Sequence, residues 1–253
     1  MRKRKNFVIP TTAILCGVSF LGIGTLFAID DQLSKTLRLP SYSGNLSGAA
    51  MHSQVSESGP YSPINLKRVS PYMIQALLAA EDHNFYQHDG IDAPALLRAS
   101  LDNLKAGHMI EGGSTITQQL AKNVFLDWRD RTALRKLKQC LFAWELEKHY
   151  SKDEILESYL NCVYFGNGAY GVERAAKTYF GVHASQLTLA QSAFLAALLK
   201  APSDYGLSSN QAAAFARQAS ILQNMVRHGH ITEEQARSAQ AHKLIVIPYE
   251  KNR

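Results

Sequence analysis

Cysteine is scarce: only Cys16, Cys140 and Cys162 occur, and no two have the spacing of a metal site. Cys140 and Cys162 fall on apolar helical positions, so buried thiols are expected there rather than a disulfide. The nine histidines include no HExxH or related cluster, which sets aside a zinc hydrolase. Strand signals are few, residues 244–249 reading as either a short strand or an extended tail, and no internal repeat is apparent. Nor is basic charge spread over a surface: of a formal net +6, four charges belong to Arg2, Lys3, Arg4 and Lys5. That tail, not a nucleic-acid-binding face, accounts for much of the basicity.

After the tail come 23 residues, 7–29, without a charged side chain, enough to cross a bilayer core of ~30 Å as a helix. Cations before the run and Asp30 and Asp31 after it predict a cytoplasmic N-terminus and an external domain. A cleaved signal peptide would have a shorter apolar region, ~7 to 15 residues, and a small-x-small site. Bulky Leu15 disfavours lipoprotein processing at Cys16. The expected organisation is therefore a cytoplasmic tail over 1–6, a retained single-pass signal anchor over 7–29, a linker over 30–64 and one domain over 65–253. Within the linker, residues 41–60 are rich in Ser, Gly, Asn and Pro and lack periodicity.

The domain is helical by pattern. Ser70-Pro71 supplies an N-cap and a first-turn proline, and Met73, Ile74, Leu77, Leu78 and Ala80 make a stripe to be buried, which leaves Glu81 near the helix end. Ser151 with Glu154, Thr188 with Gln191, and Thr232 with Gln235 are capping-box pairs. Residues 190–200 are apolar nearly all round and stop before Pro202, as a central helix would. An all-α single domain is the expected fold class.

Two runs carry chemistry. Residues 111–123, EGGSTITQQLAKN, set ten polar or glycine positions among three apolar ones and still read as a helix start. Gly112 and Gly113 permit a turn or a close approach, Ser114 and Thr115 can cap amides, and Gln118, Gln119 and Lys122 supply donors suited to anionic, hydroxyl-rich ligands. Residues 81–92, EDHNFYQHDGID, put a carboxylate pair at the end of an apolar helix. These runs resemble the first two signature motifs, EDxxFxxHxG and GGSTITQQLxKN, of the peptidoglycan glycosyltransferases, glycosyltransferase family 51. Residues 135–139, RKLKQ, resemble the third motif, RKxxE; residues 152–176 resemble the fourth, and residues 190–202 the fifth. The resemblance covers residues 66–205. No SxxK, SxN or KTG set of a penicillin-binding transpeptidase follows, so a monofunctional polymerase is expected.

The resemblance implies a lysozyme-like helical domain, anchored in the bacterial cytoplasmic (inner) membrane, that polymerises lipid II and releases undecaprenyl pyrophosphate. It makes Glu81 the base for the acceptor hydroxyl, and Lys122 and Arg135 phosphate ligands. Ser114, Thr115, Gln118 and Gln119 are candidate substrate contacts on the second motif. Arg131 and Lys138 join them because Arg131, Arg135 and Lys138, at i, i+4, i+7, share a helix face, from which Lys136 points away. Glu157 and Asn161 read as structural ties, and His88 as a packing residue beneath the site.

Gln139 departs from the family pattern, standing where the third motif has glutamate; charge is lost but hydrogen bonding is kept. It is a candidate catalytic position, and it also motivates an alternative: a non-catalytic scaffold that binds lipid II or other wall-synthesis proteins. A lysozyme-like hydrolase is the third class, disfavoured because hydrolases set two carboxylates across the bond, whereas here one carboxylate faces several cations. Partners expected are lipid II, the nascent glycan and membrane lipid, with no nucleic acid. No cofactor is evident in these motifs, no metal ligands are expected, and divalent-cation dependence leaves no mark in them.

Overall fold

A computed structural model of the chain describes residues 62–106, 113–126, 133–205, 211–241 and 244–248. The expected membrane span, 7–29, and residues 30–61 of the expected linker over 30–64 lie outside the described residues. Among the described residues no helix is long and apolar enough to cross a membrane.

Among the described residues ten α-helices follow one another: α1 Pro71–Glu81, α2 Ala93–Ala106, α3 Ile116–Phe125, α4 Ala133–His149, α5 Lys152–Cys162, α6 Val172–Phe180, α7 Leu189–Leu198, the single-turn α8 Pro202–Tyr205, α9 Gln211–Arg227 and α10 Glu233–Ala241. No strand occurs among the described residues, only an isolated bridge between Tyr164 and Tyr170, which agrees with the all-α expectation. The tail at 244–248 is extended, anchored by the Ile247 N–H on the Tyr179 carbonyl at 2.9 Å.

Local chemistry sets the boundaries. All three capping boxes form: Ser151 with Glu154, Thr188 with Gln191, and Thr232 with Gln235. Ser70 differs. Pro71 opens α1, but the Ser70 hydroxyl does not cap it; it donates instead to the Leu187 carbonyl at 2.8 Å and joins the start of α1 to the segment before α7.

α7 is the centre. Ala190 and Ser192 to Leu198 are all buried, and α1 and α9 pack directly on it, with α10 outside. A second group, α3, α4 and α5, packs beside these. Tyr159, Tyr179, Phe85, Phe165 and Phe194 are fully buried; an aromatic or large aliphatic side chain of this kind contributes ~1.5–3 kcal/mol on leaving water. Cys140 and Cys162 are buried free thiols, as expected.

Two connections fix the frame. At Gly166, φ is +89°, and a Cβ would stand 2.2 Å from the Pro202 carbonyl oxygen, so the loop after α5 can seat against α8 only with glycine there. The chain enters the domain along α5. Asn161 Oδ1 accepts from the Ile64 N–H at 2.9 Å, its Nδ2 donates to the Ile64 carbonyl at 3.0 Å, and Glu157 accepts from the Leu66 N–H at 2.8 Å. Glu157 and Asn161 thus tie the leading chain to α5.

Candidate active site

Between the α1–α7–α9 group and the α3–α4 pair lies a cleft of about 830 Å³, flanked by α2. Glu81, the last residue of α1, points into it because the helix stops there: Asp82 leaves helical geometry and its buried carboxylate accepts from the Ile116 N–H at 3.0 Å and from His88 Nε2 at 3.1 Å. Asp82 thereby satisfies an orphan amide at the N-terminus of α3, where a negative charge is also favoured by the helix dipole. His88 packs beneath the site, as expected.

Glu81 has a raised pKa. Burial is the main cause, opposed by the Gln119 hydrogen bond, by Arg217 and by Lys200. Gln119 Nε2 donates to Oε2 at 2.8 Å, and Arg217 stands 3.5 Å from Oε1. A carboxylate held this way is oriented and has an elevated proton affinity, which is what a general base needs.

Facing it is a bank of cations. Lys122 comes from α3, Arg135 and Lys136 from α4, and Arg98 from α2, with Lys200, Arg217 and Arg227 on the opposite wall. The Lys122 pKa is lowered, first by burial and then by Arg135, with Glu81 pulling the other way. An arriving anion would relieve that cost, so this wall is suited to a phosphate-bearing group.

The sequence-derived candidates separate on this geometry. Glu81, Ser114, Thr115, Gln119, Lys122, Arg135 and Gln139 line the cleft together. The Thr115 hydroxyl is already engaged, accepting from the Gln118 N–H at 3.1 Å and donating to the Gly90 carbonyl at 2.7 Å. Gln118 does not line the cleft; it is buried in the α3–α4 seam, its Oε1 closing the capping box with Thr115 and its Nε2 donating to Cys140 Sγ at 3.3 Å. Lys138 is also absent from the lining, whereas Lys136, expected to point away, is part of it and donates to Ser114 Oγ at 2.8 Å. The reason is angular. The face of α4 that meets the cleft is centred on Gln139, which brings positions i−3 and i−4, Lys136 and Arg135, with it and turns i−1 aside by ~100°. Arg131 lies outside the described residues, as do Glu111 and Gly112.

Gly113 serves packing: a Cβ would stand 3.1 Å from the Leu96 Cα on α2. Arg98, Lys200, Arg217, Asn224, Arg227 and His228 also line the cleft, and of these only Lys200 falls within a run that resembles a motif, the fifth. His228 stacks on His83 with ring centroids 4.6 Å apart, at the loop where α9 ends. The Tyr164 and Tyr170 rings meet at a tilt of 36° away from the cleft, and Phe85 is core.

An all-helical domain thus sets the oriented Glu81 carboxylate opposite a cationic wall, an arrangement suited to an anionic ligand. A family model described as Transglycosylase matches residues 48–226. Penicillin-binding protein 1A of Aquifex aeolicus is 46% identical over 176 residues, covering 70% of this chain and 24% of that protein. Penicillin-binding protein 1F of Bacillus subtilis is 38% identical over 249 residues, 96% of this chain and 34% of its own length. Penicillin-binding protein 1A of Escherichia coli is 44% identical over 173 residues, 68% of this chain and 20% of its own. A solved structure of penicillin-binding protein 1A from Haemophilus influenzae aligns with a TM-score of 0.43 and 21% identity, over 76% of this chain and 19% of that one. The chain belongs to the transglycosylase family. It spans between 20% and 34% of the length of these curated relatives.

Proposed function

We propose that this protein is a peptidoglycan glycosyltransferase that polymerises lipid II into β-1,4-linked glycan strands for the cell wall. Glu81 takes the proton from the acceptor sugar hydroxyl as that oxygen bonds to the donor's anomeric carbon. The bond from that carbon to the lipid pyrophosphate breaks, and its electron pair leaves with the pyrophosphate, which Lys122, Arg135 and Lys136 stabilise. Attack opposite the leaving group inverts the anomeric centre. Undecaprenyl pyrophosphate departs from the donor, and Glu81 later gives up its proton to solvent.

The observation that carries this reading is the pairing of a half-buried, raised-pKa Glu81, held by Gln119, with the Lys122–Arg135–Lys136 wall across one cleft. The exposed row Leu97, Leu101 and Leu104 on α2 supports a site of action at the membrane surface, consistent with a single-pass anchor that puts the domain outside the cytoplasmic membrane. Incubating the purified protein with lipid II tests the reading: glycan polymer is the expected product. Binding of lipid II without polymer would leave the scaffold reading, which the Gln139 departure favours.

A further inference from the structure

Gln139 is 3% exposed, and its Nε2 donates to the backbone carbonyl of Gln118 at 2.9 Å. In an α-helix that carbonyl also accepts from the amide four residues on, that of Lys122. One turn of α3 is therefore held from two sides at a single oxygen. Its neighbour on α4, Cys140, receives the Gln118 side chain at 3.3 Å. Two consecutive residues of α4 thus grip Gln118, and the next residue of α3, Gln119, is the one that holds Glu81.

The polarity of this contact matters. An amide has a hydrogen to give to a carbonyl; an ionised carboxylate has none. A glutamate in the same place would put two acceptors face to face in a buried seam, and would have to bind a proton or swing towards Arg135 and Lys136 one turn earlier.

We propose that Gln139 is a positioning residue acting as a donor: its N–H···O=C bond sets the register of α3 against α4 and so places Gln119 and Lys122 in the cleft. The inference rests on the transferase reading for its kinetic test. It predicts that glutamate, the residue of the family's third motif, works less well at this position than the amide. Here the amide is the working group and α3 is seated around it.

The test compares the full-length wild type with Gln139→Glu and Gln139→Met in detergent, following lipid II polymerisation and amide hydrogen exchange across α3 from about pH 5 to pH 8. Each variant is read as a ratio to wild type at the same pH, which cancels the titration of Glu81. Gln139→Glu is expected to polymerise at least tenfold more slowly at the alkaline end, with faster exchange at the Lys122 amide, and to recover both as its carboxyl protonates. Gln139→Met, which keeps the shape and lacks the donor, should be slow by a similar factor at every pH. A purely structural loss would not track pH in one variant and ignore it in the other. A Gln139→Glu rate equal to or above wild type across the range, or a wild-type rate in Gln139→Met, overturns the proposal. If wild type makes no polymer, the proposed function fails, while the exchange ratio still decides the role of Gln139: protection that varies with pH only in Gln139→Glu supports it, and wild-type protection in both variants overturns it.

Discussion

Gln119 bridges Tyr159 and Glu81: its Oε1 accepts from the Tyr159 hydroxyl at 3.0 Å, and its Nε2 donates to Glu81 Oε2 at 2.8 Å. The phenol fixes which end of the amide meets the carboxylate, because Tyr159, fully buried and with a pKa held well above its ordinary value by that burial, is a donor. Glu81 is consequently offered a hydrogen from one side while its second oxygen faces the cleft beside Arg217. The first and second motifs, 38 residues apart at these positions, are one device.

Removing the proposed base should separate activity from stability. Glu81→Gln is expected to cut polymerisation by ~10² to 10⁴. Folding raises the Glu81 pKa, so this side chain's favourable contribution is present below the ordinary carboxyl range and is lost as pH rises through the folded value. A neutral glutamine escapes that loss. Thermal melts should therefore show the variant more stable than wild type near about pH 8, with the gap closing towards about pH 4; a variant less stable at both ends would contradict the burial argument.

The cationic wall predicts a selective effect on anionic ligands. Lys122→Ala, Arg135→Ala and Lys136→Ala should each weaken binding of a lipid pyrophosphate by ~1.5–3 kcal/mol, while Lys138→Ala leaves it unchanged. Titration calorimetry in detergent reads this directly. Equal losses at Lys136 and Lys138 would mean that the face of α4 centred on Gln139 is not the binding face.

Arg217 bears on pH dependence. Its charge helps to hold the Glu81 pKa down, so Arg217→Gln should raise that pKa further, and the base must then be ionised at a higher pH. The acid limb of the kcat/KM profile is expected to move to higher pH. A limb that stays in place while the rate falls would assign Arg217 to substrate contact alone.

Leu97, Leu101 and Leu104 expose 46%, 48% and 58% of their surface along one face of α2. A protein lacking residues 1–29 should still sediment with vesicles through this row, and Leu101→Glu combined with Leu104→Glu should reduce that binding at least tenfold, since each leucine can contribute up to ~1.5–3 kcal/mol on leaving water. The double variant's melting temperature controls for folding. Undiminished vesicle binding would place the lipid contact elsewhere.

Much of this was legible from local chemistry. The capping boxes, the buried α7 and the termination of α1 at Glu81 follow from short-range rules that tertiary packing did not override. Gln118 was harder: a polar residue in a donor-rich run reads as a ligand contact, yet its amide is consumed inside a helix seam. Lys136 was misplaced because the helix phase was set on Arg131 and Arg135, when the buried Gln139 is what orients α4. Arg217 on α9 and Lys200 in the turn after α7 are distant in sequence, and only the packing of α9 and α7 against α1 brings them to Glu81.

The tie between the leading chain and α5 has a mechanical consequence. Glu157 and Asn161, which hold Leu66 and Ile64, sit on either side of Tyr159 along the same helix. A pull on the chain ahead of residue 64 would load those bonds in parallel and draw on α5 at the very turn that presents the phenol to Gln119. Tension on the leading chain would then reach, through Tyr159 and Gln119, the orientation of the Glu81 carboxylate.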